Sequence, residues 1–149
     1  MINRLKQGKK VVIYGDGKQK RSFSNVADCV DAVERIIESD RDLVGEVYNI
    51  GPDDNEIEII EIAKKIGHHL EKYPHFDHYP DRPAEVKNAW CSSEKIKSDF
   101  NYNASITLDQ TIHEMCSWIE RRGPEEFDYA LDLEFVTDET PLTWVERLI

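Results

Sequence analysis

The stretch Gly45-Glu46-Val47-Tyr48-Asn49-Ile50-Gly51-Pro52 limits what this chain can fold into more than any other. Val47, Tyr48 and Ile50 are β-branched or aromatic, and glycines bound the run on both sides, so Glu46 to Ile50 reads as a strand. A short apolar strand of this kind belongs inside a parallel sheet, with neighbours on both sides and helices over both faces. Elsewhere the sequence offers about four amphipathic helices and a hairpin, but no such neighbours. With 149 residues, 40% of them hydrophobic, there is chain enough for one core. The expectation is an α/β chain with an incomplete sheet, a β-hairpin plus one or two parallel strands and about four helices. It looks like half of a larger fold.

Ile2 and Leu5 share one side of what reads as the end of a helix over residues 1–8. Val11-Val12-Ile13-Tyr14 is a β-branched run closed by the turn Gly15-Asp16-Gly17, and a second extended piece at Arg21–Ser24 is expected to pair back on it. Asn25 is an N-cap, Asp28 favours the helix dipole from the first turn, and Val26, Val30, Val33 and Ile37 follow at helical spacing to about Glu38. Ile59, Ile62, Ala63, Ile66 and Leu70 predict the next helix. Tyr73 to Pro83, with three prolines, reads as an ordered loop. Ser92 caps a short helix carrying Ile96 and ending near Phe100. Thr107 to Gln110 is a capping box for a helix bearing Leu108, Ile112, Met115 and Ile119 and stopping at Gly123-Pro124. Alternation from Phe127 through Tyr129, Leu131 and Leu133 to Phe135 predicts an extended segment with one buried face, and Trp144 follows.

The chain carries 19 basic and 30 acidic residues, a formal net charge of −11. That balance excludes a nucleic-acid partner, which needs a broad cationic face, and docking on an anionic membrane. No secretory leader and no apolar run long enough to span a bilayer is present, which gives the expectation of a soluble, cytoplasmic protein. Cys29, Cys91 and Cys116 form neither a disulfide framework nor a CxxC metal pair. His68, His69, His75 and His78 lack a helix-face HxxxH spacing and an accompanying cysteine pair, so no metal is expected. His113 reads as a packed or surface histidine.

Against the acidic background, Lys18, Lys20 and Arg21 stand together after a glycine turn. A guanidinium there suits two-oxygen capture of a phosphate; the competing reading is a solvated surface arginine. In Tyr79-Pro80-Asp81-Arg82-Pro83-Ala84-Glu85, prolines fix φ on both sides of Arg82, and Glu85 can accept from vicinal hydroxyls. A local ion pair of Arg82 with Asp81 or Glu85 is the other account. The sequence contains no nucleophile elbow, no Walker loop and no GxGxxG, and no catalytic residue is assigned.

In order, VVIYGDGKQKRSFSNVADCVDAV, GEVYNIG, IIEIAKKIG and DRPAEVKNAWCSSEKIKSDFNYNASITLDQTI resemble the C-terminal, substrate-binding half of an extended short-chain dehydrogenase/reductase, an NAD-dependent nucleotide-sugar epimerase/dehydratase. The resemblance covers residues 1–122 and implies a Rossmann-type fold. It divides the chain into residues 1–124, a nucleotide-sugar-binding portion with the last strand and helix of the Rossmann sheet, and residues 125–149, an extension packed on it. It also implies an NDP-sugar ligand, first among them a UDP-sugar. Arg21 and Arg82 would grip the diphosphate from two sides, Glu85 would hold the ribose, and Val12, Ile13 and Tyr14 would lie along the base. Ala84 and Glu85 stand where the family usually has glycine and aspartate, and Ser22 where aspartate is frequent. NAD belongs to the complete enzyme, at a site outside this chain, because its glycine fingerprint and the Tyr-x-x-x-Lys pair are absent from these residues. The chain alone is therefore expected to be inactive. Its parent would be an epimerase, with a dehydratase, a UDP-glucuronate-decarboxylase-like enzyme, or a non-catalytic NDP-sugar-binding or assembly module as alternatives. A missing N-terminal half, or another copy of the chain, is the expected protein partner.

Overall fold

The computed structural model describes residues 1–53, 56–125 and 132–147. In chain order its elements are α1 (Ile2–Lys6), β1 (Val11–Tyr14), β2 (Lys20–Ser22), α2 (Val26–Ile37), β3 (Glu56–Glu58), α3 (Ile59–His69), β4 (Phe76–Tyr79), β5 (Asn88–Ala89), α4 (Glu94–Phe100), α5 (Leu108–Arg122) and α6 (Leu142–Val145). They fall into two interleaved units. Met1–Gln19, Glu58–Lys87 and Ile112–Ile149 make the first; Lys20–Ile57 and Asn88–Thr111 make the second. The mixed α/β class with parallel strands is as the sequence implies.

In the first unit, β1 pairs in parallel with β4, in register from Val11 opposite Phe76 to Tyr14 opposite Tyr79. Val11 and Ile13 are buried, together with Ile2 and Leu5 of α1 and Ile62, Ala63 and Ile66 of α3. This pairing replaces the expected hairpin. Gly17, at φ +75°, turns the chain, and its carbonyl then accepts from Ile60 N (3.0 Å) while Gln19 O accepts from Ile59 N (3.1 Å). The segment after the turn is thus held by the start of α3 and does not fold back along β1. β4 lies inside the stretch expected to be loop. Pro74 and Pro80 mark its ends, not an irregular path between them.

In the second unit, β2 pairs in parallel with β5, Lys20 opposite Asn88 and Arg21 opposite Ala89, within the strand order β3-β2-β5. Asn25 caps α2 as expected, its Oδ1 accepting from Ala27 N at 2.8 Å. The core here is Ala32, Ile96 and Tyr102, with Tyr48, Ile50 and Phe100 packed against it. Two expectations are corrected. Val26, Val30, Val33 and Ile37 form the exposed side of α2, with Val26 75% and Ile37 76% accessible, while Asp28 and Ala32 form its buried side. Glu46–Ile50 joins no sheet among the described residues, because no described strand lies alongside it. Its alternation survives: Tyr48 and Ile50 turn inward, Val47 and Asn49 outward.

The capping box forms, Thr107 N donating to Gln110 Oε1 (2.8 Å) and Gln110 N to Thr107 Oγ1 (3.2 Å). Ser92 Oγ accepts from Glu94 N at the start of α4. On α5, Ile112 and Cys116 are buried, whereas Met115 of the expected stripe is exposed. Burial raises the Cys116 thiol above its ordinary range, which marks it as a packed, inert side chain. Phe127, Tyr129 and Leu131 lie outside the described residues; Leu133 and Phe135 are exposed and in no strand. No helix among the described residues is long and apolar enough to cross a membrane.

Candidate functional site: the Gly15 turn and the Arg82 loop

The parallel register carries two distant loops to one place. Because Tyr14 stands opposite Tyr79, the Gly15 turn leaving β1 emerges beside Pro80-Asp81-Arg82 leaving β4. Gly15 N donates to Tyr79 O (2.8 Å), and His78 Nδ1 lies 2.8 Å from Gly15 O. Gly15 sits at φ +59°, and a Cβ there would come within 2.0 Å of Asp81 Oδ1. The positive φ favours glycine, whereas the exposed Asp81 carboxylate could swing aside from a Cβ.

Arg82 folds over the Tyr14 ring, its guanidinium carbon 4.6 Å from the ring centroid. Such stacking holds the guanidinium plane without consuming its N–H donors. Arg82 O accepts from Glu85 N (3.3 Å) across a tight turn whose third residue, Ala84, has φ +54°. A non-glycine residue there stores backbone strain of about 1 kcal/mol in the loop. Beside these groups lies a cavity of about 450 Å³ lined by Gly15, Asp16, Gln19, Asp81, Arg82 and Glu85, with Lys87 completing it. Asp16 Oδ1 caps the turn by accepting from Lys18 N (2.9 Å). Arginine and lysine facing carboxylates across a polar cleft suit a ligand with both anionic oxygens and hydroxyls.

Of the residues singled out in the sequence, Arg82, Glu85 and Tyr14 share the first unit and this part of it. Val12 is half-buried on the same strand, and Ile13 is buried in the core, so only its backbone can meet a ligand. Arg21 belongs to the second unit, on β2, where Nη1 donates to Lys20 O (2.7 Å). Asp81, Gln19 and Lys87 enter the cleft without having been anticipated. Asp81 carried a signal, since it sits between Pro80 and Arg82 in the same motif. The four clustered histidines hold no metal-binding group: among the described residues no set of three or more His, Cys, Asp or Glu side chains converges.

A family model described as GDP-mannose 4,6 dehydratase matches residues 1–115. The chain belongs to that family of extended short-chain dehydrogenase/reductases. It is 33% identical over 118 residues to a UDP-N-acetyl-alpha-D-glucosaminuronate decarboxylase of Bacillus cytotoxicus, aligning 75% of this chain with 36% of that protein. It is 28% identical over 128 residues to a dTDP-glucose 4,6-dehydratase of Xanthomonas campestris, aligning 79% of this chain with 36% of that one. Among solved structures, UDP-glucuronic acid 4-epimerase of Bacillus cereus, in complex with UDP-glucuronic acid and NAD, superposes on 81% of this chain and 38% of its own (TM-score 0.76, 24% identity). A dTDP-glucose 4,6-dehydratase of Bacillus anthracis in complex with NAD superposes on 80% and 37% (TM-score 0.72, 29% identity). The chain thus spans little more than a third of the length of the relatives it matches.

Proposed function

We propose that this chain is the substrate-binding part of an NAD-dependent nucleotide-sugar epimerase, holding the diphosphate and ribose of an NDP-sugar. The observation that carries the reading is the joining of Arg82 and Glu85 beside the Gly15 turn in a polar cleft, within a chain of this family. Arg82, backed by Tyr14, offers its fork to diphosphate oxygens, and Glu85 accepts from the ribose hydroxyls. Arg21 supplies the second diphosphate contact. Val12, Ile13 and Tyr14 border the base. Structural relatives that bind UDP-glucuronic acid favour a UDP-sugar.

NAD and the chemical step are assigned to polypeptide that these residues do not include. The exposed apolar stripe of α2 and the unpaired Glu46–Ile50 segment support a protein partner that covers them, either the missing N-terminal portion or another copy of the chain. A dehydratase or decarboxylase parent is the second reading, favoured by the decarboxylase and dehydratase among the relatives.

Calorimetric titration of the chain with UDP, dTDP, GDP and NAD tests the proposal. A nucleoside diphosphate should bind while NAD does not. Arg82→Ala and Arg21→Ala should each weaken binding by about tenfold or more, as loss of a charge-assisted pair implies. Binding unchanged in both variants refutes the assignment.

A further inference from the structure

The C-terminal helix α6 is too short to hold itself, and its Leu142, Trp144 and Val145 remain exposed. The residue it buries is Thr143, 2% exposed, which makes two hydrogen bonds with the buried Tyr14 hydroxyl. Its N–H donates to Tyr14 Oη (2.9 Å), and Tyr14 Oη donates to Thr143 Oγ1 (2.7 Å). The phenol is thereby satisfied both as acceptor and as donor, and the tip of its ring is held at two points. On that same ring lies the Arg82 guanidinium, 4.6 Å from the centroid. Arg82 in turn lines the polar cleft with Asp81 and Glu85. A continuous chain of contacts therefore runs from α6 through Tyr14 to the cleft. α6 lies beyond residue 115, where the family match ends.

We infer that Thr143 is a positioning residue for the diphosphate contact: through the Tyr14 hydroxyl it fixes the ring that sets the Arg82 guanidinium towards the polar cleft. The inference rests on the proposed NDP-sugar site and adds to it a contribution from the C-terminal segment. Pro80 and Pro83 restrict the backbone around Arg82 but leave its long side chain free. A mobile guanidinium gives up that freedom when it takes two phosphate oxygens, and the cost comes off the affinity. Stacked on a fixed ring, it has given up most of it before the ligand arrives. A ring anchored only at its Cβ can tilt and carry the arginine with it; the two hydrogen bonds at the phenol oxygen remove that motion. Without α6, water would satisfy the hydroxyl equally well and would hold neither the ring nor the arginine in place.

The test is calorimetric titration of the full chain with UDP, for wild type, Thr143→Val, Thr143→Ser, Arg82→Ala and the double variant Thr143→Val/Arg82→Ala, with circular dichroism confirming that each is folded. Thr143→Val keeps the shape but removes the Oγ1 acceptor, and it should weaken UDP about five- to tenfold. Thr143→Ser, which restores the hydroxyl, should return affinity to within about twofold of wild type. In the Arg82→Ala background, Thr143→Val should cost less than about twofold, because its effect runs through that guanidinium. A merely structural Thr143 would lower the stability of the fold without this dependence on Arg82. UDP affinity of Thr143→Val within about twofold of wild type overturns the positioning role and leaves the diphosphate site standing. An equal loss with and without Arg82 overturns it as well. Absence of UDP binding to wild type at about 1 mM overturns both readings.

Discussion

Asp28 offers the sharpest test of how the second unit is held. It lies on the first turn of α2, 5% exposed, with Oδ1 accepting from Ser105 N (3.0 Å) and Ser105 Oγ (3.2 Å) and Oδ2 from Ile106 N (3.1 Å). One carboxylate thus ties the loop before α5 to the start of α2. Asp28→Ala leaves two backbone N–H groups without that acceptor. Ser105 is exposed and Ile106 half-buried. Water reaches them, so the low end of the usual penalty applies, about 1 kcal/mol for each. Loss of an anion from the helix N-terminus adds about 0.5 kcal/mol. The total is about 2.5 kcal/mol. With a urea dependence of about 1.5 kcal/mol per molar, the unfolding midpoint should fall by roughly 1.5–2 M. Asp28→Asn keeps one acceptor oxygen and turns a donor towards one former partner, so about half that loss is expected. Urea titration followed by far-ultraviolet circular dichroism measures both. A shift below about 0.5 M for Asp28→Ala would mean that water replaces the carboxylate at little cost, and the argument would fail.

Asp53 accepts from Lys97 Nζ (2.6 Å), then from Ser93 Oγ and Ser93 N (2.7 Å each), and these contacts hold its carboxyl down at about 2. Because the folded value lies below the unfolded one, its contribution is complete above about pH 4 and is lost as pH falls towards 2. Asp53→Asn should therefore be less stable than wild type near neutrality, with the gap closing below about pH 4; a gap independent of pH contradicts the assignment. Gly17 and Gly8 separate crowding from backbone strain, since both have positive φ but only at Gly17 would a Cβ meet Ile13 and Ile60, each at 2.9 Å. Gly8→Ala should cost about 1 kcal/mol and Gly17→Ala about 2–3 kcal/mol in the same urea assay; equal costs would show that the neighbours of Gly17 yield freely.

Features that depend on neighbours in sequence were legible. The Asn25 cap, the Thr107–Gln110 box, the α3 periodicity and the Gly15-Asp16-Gly17 turn each rest on side chains within one or two turns of the backbone they satisfy. Asp28 was legible only in part. Its place in the first turn of α2 suggested a dipole role, while its three hydrogen bonds go to residues 105 and 106, which no local pattern announces. The site divides in the same way. Arg82 and Glu85 stood out as a proline-framed motif. That Tyr14 backs Arg82, and that Asp81 closes on Gly15, follows from the parallel β1–β4 register, which pairs strands from opposite sides of α2 and α3.

The two misplaced elements of the second unit have a common cause. Helical spacing shows that Val26, Val30, Val33 and Ile37 share a face, and β-alternation shows that Val47 and Asn49 point opposite to Tyr48 and Ile50. Neither pattern states what covers a face. In the structure each element buries one side against Ala32, Ile96 and Tyr102 and leaves the other in solvent. A helix that buries Ala32 and Ile36 on one side while exposing four large aliphatics on another is patterned for two layers, of which the described chain provides one. An extended segment that packs its inward residues but lacks a hydrogen-bonded neighbour is patterned for a sheet it does not complete. Both deficits fall in the same unit, and the chain spans 36% of the decarboxylase it matches. Periodicity gives each element two distinct faces, and it could not by itself tell the face that the described chain buries from the face it leaves in solvent.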